Sequence, residues 1–380
     1  MRRTDATLAL AATAVAFVLA ATAVLPDLFA ATPEMAAPAR PAASPAVASA
    51  DPLAAEIARL SAILHGAPDD DFWKQIQGGP GTMLGRAEQA LKDGRRNLAL
   101  QRLGFARSDI AAAAWVMGRP AQERSDETAF EAAWERLGRD REREFRMPAA
   151  TAFDGVRPAL VRGLAEAAAA QAGTLYRASL DYGRSTEPLY GLFYAGTGEA
   201  QIEYAAFLRG LSDKRAPAPP VLRSFAPDLD ALEDQLLKSY KPPVSIDRHG
   251  EFITASASLK EARELDAAGL RYGALVKLLD ATMRAGLLRP ADAQADELKG
   301  RLEPFERRLA AAGRDHSIGR TYLEGAQANL PGVTGANPAI AESIIRDVLL
   351  RYFAALEPAP PAPARPKPIV TVTLVRWPYT

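Results

Sequence analysis

Residues 84–106 read LGRAEQALKDGRRNLALQRLGFA, and residues 259–281 read LKEARELDAAGLRYGALVKLLDA. Laid in register, with Leu84 on Leu259, the two stretches share the pattern L-x2-A-x2-[AL]-x3-G-x-R-x2-A-L-x2-L-x2-A. The first carries it on Leu84, Ala87, Ala90, Gly94, Arg96, Ala99, Leu100, Leu103 and Ala106. The second carries it on Leu259, Ala262, Leu265, Gly269, Arg271, Ala274, Leu275, Leu278 and Ala281. Apolar residues recur every three or four positions on both sides of the glycine, which is helical spacing. A glycine leaves a helix through positive φ at no steric cost. Alanines let two helices approach closely, and leucines fill the seam between them. Each stretch therefore predicts a helical hairpin. A looser match, with the register shifted by one position, joins Leu53, Ala55 and Leu60 to Leu229, Ala231 and Leu236.

The turn and second helix of these hairpins resemble a tetratricopeptide (TPR) repeat. Gly94, Ala99, Leu100, Leu103 and Ala106 stand at the matching positions, as do Gly269, Ala274, Leu275, Leu278 and Ala281. Arg96 and Arg271 replace the aromatic that family usually carries, the early tryptophan of the first helix is missing, and no regular 34-residue period runs along the chain. The resemblance covers two hairpins and implies a shape, stacked helical hairpins, rather than an activity.

Outward from the hairpins, helical periodicity runs from Asp51 to Leu356, broken at Gly78–Pro80, Gly118–Pro120, Gly183–Pro188, Lys241–Pro243 and Pro331-Gly332. About twelve helices are expected, six in each half. The predicted fold is all-α: stacked helical hairpins in an α-solenoid-like array with internal duplication, plus a short C-terminal β-strand tail. Helical half 1 spans 51–215, a Pro-rich connector 216–226, and helical half 2 spans 227–356.

The ends read differently. Arg2 and Arg3 precede ATLALAATAVAFVLAATAVL (6–25), an uncharged run long enough to cross a bilayer as a helix. Residues 1–30 are read as a signal anchor or signal peptide, with cleavage expected after Ala23 or Ala30 if it is removed. The flanking arginines keep the N-terminus inside, so the body is expected to be periplasmic or extracytoplasmic. Residues 31–50 form a Pro/Ala-rich linker. At the other end, 357–368 is a second Pro-rich linker, and 369–380, IVTVTLVRWPYT, alternates with period two. A lone strand needs an edge to pair with, so it predicts docking by β-addition on a partner or a fold back onto the body.

Composition narrows the function. Lys+Arg and Asp+Glu are balanced at 46 each, which argues against a nucleic-acid binder. No cysteine is present, excluding disulfides, thiolate nucleophiles and lipid attachment at a lipobox. Abundant alanine, and arginine over lysine, read as a G+C-rich bacterial coding background.

Few residues invite chemistry. Asp69-Asp70-Asp71 reads as a loop or helix cap beside Phe72 and Trp73, which read as core anchors. His65, His249 and His316 each fall at an expected helix boundary or turn, without a partner for catalysis. Gly78-Gly79-Pro80-Gly81 lacks the lysine of a phosphate loop and reads as a connector. Gly196 and Gly198 interrupt a helix-like run, 189–211, and close helix packing accounts for them. Beside them, Glu199 is the carboxylate on which an enzyme acting on glycan or lipid would depend. Tyr190, Phe193, Tyr194, Tyr204 and Phe207 form an aromatic-rich helix, and 135–146 reads as a mixed-charge solvated helix.

These features predict no catalytic residue, no cofactor and no metal. They point to a non-catalytic envelope scaffold that binds protein partners, tethered to the membrane by its N-terminal segment. Its expected contacts are Val372, Leu374, Trp377 and Tyr379 of the tail, with Tyr190 and Tyr194 on the helical body.

Overall fold

A computed structural model describes residues 51–357, apart from 243–245, 290–294, 311–312 and the side chains of 295–296. The chain is mostly helical, with no strand among the described residues. In order the helices are α1 (Pro52–His65), α2 (Asp71–Ile76), α3 (Thr82–Lys92), α4 (Arg96–Met117), α5 (Ala121–Ser125), α6 (Glu127–Asp140), α7 (Ala159–Ser185) and α8 (Pro188–Gly210). The second half follows with α9 (Ala226–Ser239), α10 (His249–Ala267), α11 (Arg271–Leu287), α12 (Ala295–Ala310), α13 (Ser317–Ala328), α14 (Pro338–Ser343) and α15 (Leu349–Ala355).

Both predicted hairpins form, and their turns are built alike. Gly94 has φ +74° and Gly269 φ +77°. The next residue, Arg95 or Leu270, takes φ/ψ of −86°/67° or −81°/68° and opens the following helix. Its N–H returns to the carbonyl of Ala90 at 2.8 Å or of Leu265 at 2.9 Å, closing the first helix of each hairpin. Ala87, Ala99, Leu103 and Ala106 are fully buried, as are Ala262, Ala274 and Leu278. Of the looser match, Leu53, Leu60, Leu229 and Leu236 are buried, while Ala55 and Ala231 are exposed. Thus α1 covers hairpin α3–α4, and α9 covers hairpin α10–α11.

The long hairpin α7–α8 lies between them. Helix α8 is continuous through Gly196 and Gly198. A Cβ on Gly196 would lie 2.8 Å from the Trp115 ring, and one on Gly198 2.8 Å from the Ala172 carbonyl. Those glycines are there because neighbouring helices leave no room for more.

The halves share one continuous core, running from Leu53 to Ala355, and the second half supplies polar groups that finish helices of the first. Glu324 of α13 accepts the Leu98 N–H at 2.8 Å and the Asn97 amide at 2.7 Å, capping α4. Asp315 accepts the Ala159 N–H, and Ser317 Oγ the Leu160 N–H at 2.9 Å, capping α7. Fully buried Glu166 of α7 accepts the Gly273 N–H at 2.8 Å and pairs with Arg162 at 2.8 Å.

Two segments depart from the sequence reading. The 78–81 connector is wound as a π-turn, Gln77–Gly81, joining α2 to α3 without a break. The widened turn accommodates Pro80, which has no N–H to give. In the charged run, the helix ends at Asp140. Phe145 turns inward, 6% exposed, and stacks on Tyr176 at 4.3 Å, so burial of one ring overrides a solvated helical face.

Candidate functional site

Protein interiors leave few voids larger than a water molecule. Here five helices line a half-open cavity of about 150 Å³ between the halves. An apolar cavity of that size holds a benzene-sized molecule. This one is polar.

Each helix contributes one stripe at helical spacing. From α4 come Gln101, Phe105, Ser108 and Asp109; from α11, Val276, Lys277, Asp280 and Arg284. Helices α7 and α8 supply Ala167, Ala168, Gln171, Thr197, Gln201 and Tyr204, and α10 supplies Thr254, Ser258 and Glu261. A smaller inner lobe of about 60 Å³ adjoins it, sharing Gln101, Phe105, Asp280 and Arg284 and adding Arg86, Arg102, Thr321, Tyr322 and Asn329. Ser108, Asp109 and Lys277 border the outer lobe alone, while Leu98, Arg102 and Met283 border the inner lobe alone. Thus α4 and α11 run antiparallel across the cavity. A small hollow bordered by Met147, Thr174 and Glu264 shares Ala167, Gln171 and Glu261 with the outer lobe.

Several lining groups are satisfied. Lys277 Nζ lies 2.5 Å from Glu261. Burial opposes the lysine's charge, but Glu261 outweighs it and holds the pKa above the ordinary value. Asp280 accepts the Tyr322 hydroxyl at 2.7 Å and the Gln101 amide at 3.3 Å. Burial raises its pKa against the opposing pull of Lys277. Gln201 donates to Gln171 at 3.1 Å, and Tyr204 donates to the Leu100 carbonyl at 3.3 Å.

Three lining groups are not. Ser108, 3% exposed, has a buried hydroxyl with no hydrogen-bond partner among the described residues. Arg284, 6% exposed, makes no direct hydrogen bond or ion pair with a described residue, and burial lowers its pKa. Asp109 likewise has no such partner, and desolvation pushes its carboxyl up to about 7. Buried polar groups are nearly always hydrogen-bonded, so buried Ser108 and Arg284, with half-buried Asp109 beside them, mark a place where a small molecule or water completes them.

Of the residues singled out from sequence, Tyr204 lines the cavity; the others lie elsewhere. Glu199 is gripped by Arg141, whose Nε lies 2.9 and 3.0 Å from its two oxygens. The pair floors a shallow outer hollow beside Trp115, Arg119 and Arg136. Tyr190 is half-buried at the start of α8. Tyr194 is 6% exposed, edge-on to Tyr182 at 4.8 Å, placing it inside the helical body. Val372, Leu374, Trp377 and Tyr379 lie outside the described residues.

Asp70 caps α2, accepting the Trp73 N–H at 2.8 Å, and Trp73 is buried. His65 closes α1 against the Ser61 carbonyl at 2.6 Å, His249 opens α10 against Tyr240 at 2.7 Å, and His316 precedes α13 against Tyr352 at 2.9 Å. Among the described residues no three His, Asp or Glu side chains converge as a metal site, and no helix is long and apolar enough to cross a membrane.

Neither a protein-family model, nor a curated protein, nor a solved structure matches the chain.

Proposed function

We propose that the protein is a binding protein of the cell envelope that holds a small polar molecule in the cavity between its two hairpin halves. The observation that carries this reading is the set of Ser108, Asp109 and Arg284, three lining groups left without a direct partner in one cavity. Native chains tolerate such groups where a ligand satisfies them. A stacked-hairpin, solenoid-like architecture that arose by internal duplication fits the likeness of the Gly94 and Gly269 turns. An envelope location rests on the apolar 6–25 segment and the linker after it.

The test is to purify the full-length chain, denature it, and identify released small molecules by mass spectrometry. Ser258→Met serves as the companion, because it fills the outer lobe with the residue that stands at the equivalent inner position, Met83. A polar molecule released by the wild type and absent from the variant supports the proposal. Equal yields, or none from either, contradict it.

A second reading is a non-catalytic envelope scaffold that binds proteins through its helical surface and the 369–380 strand. It is favoured by the exposed apolar side chains Leu237, Ile246 and Leu350, 56–60% exposed, on the second half. In-cell crosslinking of the full chain beside one truncated after Leu356 tests it. A partner that requires the tail supports docking by the strand, and no partner from either sinks the reading.

A further inference from the structure

The outer lobe is lined by three acids, Asp109, Glu261 and Asp280, and by two bases, Lys277 and Arg284. Glu261 is paired with Lys277 at 2.5 Å. Asp280 accepts the Tyr322 hydroxyl and the Gln101 amide, and Lys277 and Arg284 both favour its charge through space. Asp109 has neither kind of support. Burial alone moves its pKa, up to about 7, with no pull from a cation. The titratable groups lining the same lobe are Glu261 of α10, Lys277, Asp280 and Arg284 of α11, and Tyr204 of α8, whose hydroxyl donates to the Leu100 carbonyl. Helix α7 contributes none.

Next to Asp109 on α4, the Ser108 hydroxyl is buried and has no hydrogen-bond partner. A carboxylate and a hydroxyl oxygen both accept, and an ammonium answers them with three N–H donors. Sign points the same way. With Asp109 ionised the side chains of the lobe carry one more negative than positive charge, and a cation restores the balance. A metal ion fits less well, because it needs several converging ligands. Among the described residues no three acidic or imidazole groups converge in that way.

We propose that the outer lobe takes a small organic amine, whose ammonium group is seated on the Asp109 carboxylate beside the Ser108 hydroxyl. Arg284 sets the chemistry of the rest of the molecule. It is buried without a direct hydrogen bond or ion pair, and Asp280 and Glu251 act on it only through space. Its N–H donors call for an oxygen acceptor on the same ligand. The class is therefore an amine that also carries oxygen. The inference rests on the proposed binding role of the cavity and names the class of ligand.

The experiment is calorimetric titration of the full-length chain, in amine-free buffer, with 2-aminoethanol and with its uncharged counterpart ethylene glycol, at pH 6 and pH 8. The amine is charged at both values. Asp109 is ionised in about a tenth of the molecules at pH 6 and about nine-tenths at pH 8, so the Kd for 2-aminoethanol is expected to fall about tenfold between them. Asp109→Asn is expected to raise the Kd at pH 8 roughly tenfold and to abolish the pH dependence, while Asp109→Glu keeps part of both. Asp69→Asn, on the exposed surface, controls for net charge and leaves binding unchanged. Circular dichroism checks the folding of each variant. Ethylene glycol binds more weakly than the amine and equally at the two pH values.

Amine binding that is the same at both pH values, or the same in Asp109→Asn and wild type, overturns the inference. So does ethylene glycol binding as tightly as 2-aminoethanol. If neither probe binds, the molecule released from the wild type and excluded by Ser258→Met decides. A molecule with a basic amine that Asp109→Asn fails to retain upholds the inference. A molecule without an amine, or one that Asp109→Asn retains, overturns it and leaves the cavity's binding role standing. No probe binding and no released molecule overturns both.

Discussion

Asp109 and Arg284 occupy the same position in the two hairpin sequences, and both border one cavity with no direct partner among the described residues. Equivalent positions of the two hairpins thus carry opposite charges.

The Asp109 carboxyl makes stability depend on pH. Its folded pKa of about 7 lies above the ordinary carboxylate value because desolvation disfavours the ion. Between roughly pH 4 and pH 7 the folded form holds a proton that the unfolded chain has lost, so stability falls as pH rises through that window and levels off above it. The charged groups facing it are Glu261, Lys277, Asp280 and Arg284. Asp109→Asn is expected to be more stable than wild type at pH 8 by roughly 1–2 kcal/mol and about equal at pH 4. Urea unfolding at both pH values checks this, and an equal difference at both rules the assignment out.

The hairpin turns predict matched losses. Gly94→Ala and Gly269→Ala each force an L-residue into positive φ, which costs about 1–2 kcal/mol. Gly85→Ala, in a helix with open space around its Cα, is expected instead to gain about 0.5–1 kcal/mol. Thermal unfolding of the three variants reads both signs.

Glu166 joins α7 to α11. Glu166→Ala leaves the Gly273 N–H unsatisfied and Arg162 without its buried partner, and is expected to cost roughly 2–4 kcal/mol. Loss of only a few tenths in urea unfolding would show the contact to be incidental.

Glu199 is predicted to be structural. Glu199→Gln weakens the link to Arg141, about 1 kcal/mol of stability, and leaves cavity binding unchanged. The same calorimetric titration reads the second half of that statement.

Much of the fold was legible in the sequence because periodicity and turn glycines act locally. The two hairpins and the packing role of Gly196 and Gly198 follow from residue spacing alone. The cavity was not legible. The seam on α4 announced itself through Leu100, Leu103, Ala106 and Ile110, and the polar stripe beside it, Gln101, Ser108 and Asp109, reads like an ordinary solvent face. Only the approach of α11, α7, α8 and α10 makes that stripe interior. One signal was present: with Leu84 laid on Leu259, Asp109 falls on Arg284 and Arg86 on Glu261, charged positions kept charged but not in sign. The aromatic run reads as core first and partner surface second, and Tyr194 is buried against α7.

The measurement that tests the central claim most directly is a high-resolution crystal structure of the protein purified without added ligand. The account predicts continuous density through the outer lobe, in hydrogen-bond reach of Ser108 and Asp109, extending to Arg284 and not divisible into separate waters. Discrete waters alone, each completing one of those three groups, would contradict it.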